Sequence, residues 1–126
     1  MDQATLVARQ IDDVPRLIDE LKRDNFDLKA AFWLYRSEAD QWFLNLVSDA
    51  VDQNGITEAY KAVFKAMRRL NDLWIDPFEV KLISPMDALA QAVTKFAPRR
   101  HAHLPTRVRG ATLGDVSLEN AYIYFT

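Results

Sequence analysis

Cysteine is absent from the 126 residues, so the chain can form no disulfide, Cys-ligated zinc site, iron–sulfur cluster or thiol nucleophile. The same absence fits a reducing compartment, and the cytoplasm is the expected location. Glycine occurs three times, at Gly55, Gly110 and Gly114. The sequence accordingly holds no Gly-rich phosphate loop, dinucleotide fingerprint or Gly-x-Ser-x-Gly elbow. Histidine occurs twice, and no His-Glu-x-x-His is present. Long apolar runs are missing and the start, Met1-Asp2-Gln3-Ala4, is acidic, so neither a signal peptide nor a spanning helix is expected. Charge of one sign is not in excess either: the formal net charge is −2, which gives the molecule no long-range pull toward nucleic acid. Repeats, low-complexity tracts and linkers are lacking, and 49% hydrophobic content suits one domain over residues 1–126 with its own core.

What is present is periodic. Val14, Leu17, Ile18 and Leu21 recur at helical spacing. With Asp13 as N-cap and Pro15 in the first turn, they predict a helix over 13–24, which residues 3–11 either extend or precede as a separate turn. The aromatic-rich run Lys29 to Arg36 and the run Trp42 to Val47 flank Ser37-Glu38-Ala39-Asp40 and predict a β-hairpin. Asn54-Gly55 marks a turn before a helix with Ile56, Tyr60, Val63, Phe64, Met67 and Leu70 on its inner stripe. Asp76-Pro77 breaks the chain ahead of an alternating strand at 78–83. Ser84-Pro85-Met86-Asp87 reads as a helix start, Pro98 as that helix's stop, and 106–111 and 120–125 as two closing strands. The expected class is α+β in the order α-β-β-α-β-α-β-β, one mixed sheet of about five strands with helices packed mainly on one face.

Alternation within the strands separates two sets of side chains. Phe32 and Leu34, Val80 and Leu82, and Ile123 and Phe125 form the simplest core under the helices. The opposite set holds Trp33, Tyr35, Glu79, Lys81, Tyr122 and Tyr124, large residues with polar tips. Left uncovered, they make an aromatic patch of the kind that marks a partner surface; covered by a loop or the N-terminal segment, they are ordinary core.

The sharpest charge anomaly is a basic segment without any acidic residue, Arg99, Arg100, His101, His103, Arg107 and Arg109. Guanidinium groups bind phosphate or carboxylate bidentately, which makes these six the candidate anion-binding residues. Against this, Arg99 and Arg100 follow a helix C-terminus, where the helix dipole alone favours positive charge. His101 and His103 share a side of an extended segment, yet no second histidine cluster completes a metal site and the arginines would repel a cation. Neither metal nor cofactor is expected. Arg36, Glu38 and Asp40 at the hairpin tip, Asp12-Asp13 and Asp49/Asp52 read as turn, cap and loop residues.

The stretches Ala31-Phe32-Trp33-Leu34-Tyr35 to Glu38-Ala39-Asp40-Gln41-Trp42, Ser84-Pro85-Met86-Asp87, and Gly114-Asp115-Val116 to Asn120-Ala121-Tyr122-Ile123-Tyr124 resemble a family of small uncharacterised bacterial proteins. The resemblance covers about residues 28–126. It implies a bacterial, stand-alone intracellular protein and no particular activity.

Taken from residues alone, catalysis is the minority reading. The leading expectation is a non-enzymatic interaction protein, acting as a homo-oligomer or as an accessory subunit of a larger protein partner. Its interface candidates are Trp33, Tyr35, Lys81, Tyr122 and Tyr124, with the arginines as an electrostatic rim. The alternative is nucleic-acid or nucleotide binding through segment 99–109, and behind it a small hydrolase or nuclease using His101 or His103. No membrane partner is expected.

Overall fold

The computed structural model describes residues 6–96, 106–113 and 116–124. The elements run α1 (Ala8–Arg23), β1 (Ala30–Arg36), β2 (Gln41–Val47), α2 (Ala50–Gln53), α3 (Ile56–Arg69), a 3₁₀ turn (Pro77–Glu79), β3 (Val80–Ile83), α4 (Ala88–Phe96), β4 (Thr106–Leu113) and β5 (Val116–Tyr124). The class is α+β, in the expected order. One mixed sheet has the spatial order β3-β2-β1-β5-β4, in which β2 and β3 pair in parallel and the other neighbours are antiparallel. A parallel pair cannot be joined by a tight turn, so α2 and α3 form the crossover between β2 and β3.

α1 buries Val14, Leu17, Ile18 and Leu21, but it begins five residues before the expected cap at Asp13. Its first turn is tied by the Gln10 side chain, whose Oε1 accepts from the Val7 amide at 3.1 Å. Pro15 therefore lies inside the helix, where it has no N–H to give the Ile11 carbonyl. That carbonyl instead accepts the Tyr124 hydroxyl at 2.6 Å, so the helix defect becomes the point at which α1 is fastened to β5. Asp13, displaced from the cap, is buried and accepts from the Trp74 amide at 2.7 Å and from Arg16 at 3.0 Å. α4, in contrast, starts later than expected, at Ala88: Ser84 and Asp87 each close a local turn, accepting from the amides of Met86 and Leu89.

Two clusters fill the two sides of the sheet. The long helices α1 and α3 cover Trp33, Tyr35, Trp42, Leu44 and Tyr124, while the shorter α4 packs Ala90 and Val93 on Phe32, Leu34, Ala121 and Ile123. Trp33 is opposite Leu44 and Leu44 is opposite Val80, so Val80 and Leu82 belong with Trp33 and not, as alternation within strands was read, with Phe32. Lys81 accordingly lies on the α4 side, Glu79 belongs to the 3₁₀ turn, and Phe125 lies outside the described residues. In β5 the alternation changes phase: Leu118 and then Ala121 and Ile123 all join the α4 cluster. The change occurs opposite Gly110, whose φ of 56° bends the partner strand in a way that favours glycine.

Candidate functional site

The expected uncovered aromatic face is closed. Trp33 is 0% exposed and Tyr35 and Tyr124 are each 5% exposed, because α1 lies over them. What survives at the surface is the end of a row of rings. Tyr35 and Trp42 meet at 5.6 Å between centroids, Trp42 reaches Tyr122 at 5.6 Å, and the Arg107 guanidinium lies 4.7 Å above the half-buried Tyr122 ring. Arg107 also donates from Nε to Asn120 Oδ1 at 3.2 Å, so its head group is held from two directions.

At the other end of the row, the Tyr35 hydroxyl donates to Asp40 Oδ1 at 2.6 Å. The bond to a carboxylate, together with burial, pushes the Tyr35 phenol up to about 12. Asp40 is the exposed turn residue that the sequence indicates, and it also accepts this bond from the end of β1. Burial also pushes the Tyr124 phenol up, and it leaves the Glu79 carboxyl above its ordinary value.

β4 closes this edge of the sheet. Among the described residues its outer backbone groups bond to no other element, and Arg107, Arg109, Gly110 and Thr112 are exposed. Arg107 and Arg109 face the same side, about 7 Å apart along the strand, and Arg109 makes no hydrogen bond or ion pair among the described residues. The opposite edge is different. β3 has four residues, and the Leu82 amide is taken by the Tyr60 hydroxyl at 3.1 Å.

A second opening lies on the α4 side, between the β1–β2 turn, β3 and the start of α4. This groove of about 460 Å³ has Phe43 and Asn45 as its floor and is bordered by Arg36, Glu38, Lys81 and Asp87. Lys81 Nζ lies 4.9 Å from the Phe43 ring centroid. Sequence reasoning missed this groove. The signal was Asn45, a lone amide inside the apolar run Trp42 to Val47.

Of the sequence-predicted residues, Arg107, Arg109 and Tyr122 come together at the β4 edge, Lys81 joins the groove, and Trp33, Tyr35 and Tyr124 are core. Arg99, Arg100, His101 and His103 lie outside the described residues. Among the described residues no helix is long and apolar enough to cross a membrane, and no three His, Asp or Glu side chains converge as metal ligands would. No family model, curated protein or solved structure matches the chain.

Proposed function

We propose that the protein is a non-enzymatic interaction protein, an accessory subunit that receives an extended acidic segment of a larger protein partner along β4. The observation that carries this reading is the β4 edge itself: eight residues, of which Arg107, Arg109, Gly110 and Thr112 are exposed, with Arg107 and Arg109 on one side and, among the described residues, none of the capping that blunts β3. Such an edge is a template for a further strand, and native sheets normally protect it. Charge selects the occupant. A second copy pairing β4 with β4 about Val108 would set arginines against arginines, whereas glutamates spaced by two along an extended partner would meet them. The Tyr122 ring supports the Arg107 head group, so less side-chain freedom is lost on binding. A cytoplasmic setting belongs to the same proposal and is supported by the lack of cysteine.

The test is fluorescence anisotropy with a labelled alternating Glu–Val peptide and its Lys–Val counterpart. The acidic peptide should bind, more weakly at about 300 mM than at about 50 mM salt, and R107E/R109E should weaken it at least tenfold with an unchanged thermal midpoint. Equal binding of both peptides, or an indifferent double variant, overturns the reading. Oligonucleotide binding lost in the same variant, with no peptide binding, replaces it by the nucleic-acid alternative.

A further inference from the structure

We infer that the groove on the α4 side is a binding site for a small zwitterion with an apolar body, the chemistry of a free apolar α-amino acid. This inference is independent of the β4 edge, from which it differs in sheet side and in residues.

The argument begins with Asn45. Its side chain is 5% exposed yet lines the groove, and its Nδ2 is spent on the Phe43 carbonyl at 3.2 Å. The carbonyl oxygen Oδ1 has no donor among the described residues and is left to the groove. An amide oxygen that is open to the groove and has no partner among the described residues can accept from a ligand, and an ammonium group supplies the donor. Directly opposite in the parallel ladder is Lys81, which the Phe43 ring steadies and which has no ion pair among the described residues. It is placed to receive a carboxylate.

Asp87 reinforces the ammonium side. Its Oδ1 accepts from the Leu89 amide at 2.9 Å, which fixes the carboxylate at the groove's α4 end and leaves the second oxygen available. Toward the hairpin, Arg36 and Glu38 add one charge of each sign, and neither is paired among the described residues. The border therefore carries two cations and two anions. A purely anionic ligand would confront Glu38 and Asp87, and a purely cationic one Arg36 and Lys81; a molecule bearing both charges meets complementary groups throughout. Between the charges, Phe43, Ile83 and Leu89 offer apolar wall. The volume of about 460 Å³ lies in the range of small-molecule sites.

The test is amide and side-chain chemical-shift mapping of the ¹⁵N-labelled protein with L-phenylalanine or L-leucine, beside the two halved analogues phenethylamine and 3-phenylpropionate. The amino acids should move the Asn45 side-chain amide and the backbone of Lys81 and Ile83 in a saturable way, and each halved analogue should bind at least tenfold more weakly. Lys81→Ala should weaken binding at least tenfold while leaving the thermal midpoint in place, and R107E/R109E should bind as the parent does. Absence of shifts up to the solubility limit, shifts confined to other residues, equal binding of a halved analogue, or an indifferent Lys81→Ala overturns the assignment.

Discussion

Under α1 and α3 the sheet presents rings with polar tips, Trp33, Tyr35, Trp42 and Tyr124, whereas under α4 it presents Phe32, Leu34, Ala121 and Ile123. The first side is covered by two long helices, α1 and α3, and the second, among the described residues, by the nine-residue α4. α4 packs on β1, β5 and β4 and leaves part of β2 and β3 open, which is where Phe43, Asn45 and Lys81 form the groove. The comparison separates two uses of aromatic residues: on the α1 side they stabilise the fold, and only where the row ends, at Tyr122 and Arg107, do they reach a working surface.

The strongest way to break the comparison is to remove a large side chain from each side. Trp33→Ala should cost about 3–5 kcal/mol, since a fully buried indole leaves a cavity that α1 cannot refill. Val93→Ala on α4 should cost about 2 kcal/mol, close to the transfer energy of the methyl groups lost. Urea unfolding of both variants measures the difference, and equal costs would mean that α4 is as deeply committed as α1. The next effect concerns how α1 is anchored. Asp13→Ala takes the acceptor from the buried approach of the Trp74 amide and frees Arg16, which also holds the Asn71 carbonyl at 2.8 Å. The expected loss is about 1–3 kcal/mol, and Asp13→Asn, which keeps an acceptor oxygen, should restore most of it.

These anchors also show what a sequence discloses. Hairpin, helices and strands were legible because apolar spacing and turn residues act locally: Ser37 to Asp40 closes β1 on β2, and Val14 to Leu21 makes a helix wherever it is placed. The pairing of strands was not legible in the same way. Alternation says that Trp33 and Phe32 point apart, but only the register, Trp33 to Leu44 to Val80, says which residues of β3 accompany each. Asp13 and Pro15 carried a real signal that was assigned to the wrong place. Together they look like a helix start, and long-range partners, the Trp74 amide and the Tyr124 hydroxyl, are what let a helix run through both. Of the site, the arginines of β4 were visible as charge, whereas the groove depends on contacts between β1, β2, β3 and α4 that no local pattern contains.

The smallest effect sharpens the comparison at the seam between its two parts, where the ring row meets the hairpin turn. The Tyr35 phenol is held at about 12 by the hydrogen bond to Asp40 and by burial, above the ordinary value of 10.0 that it regains on unfolding. Because the folded form holds its proton more tightly, this contribution to stability is complete below pH 10 and is lost as pH rises from about 10 through about 12. Tyr35→Phe should therefore lower the thermal midpoint at neutral pH, and the gap between parent and variant should narrow across that interval. Absorbance at 295 nm gives an independent reading, since the variant should lose one tyrosine from the high-pH limb of the titration. A gap that stayed constant with pH would show that the Tyr35 ring, packed on Trp42, stabilises the seam and that its bond to Asp40 does not.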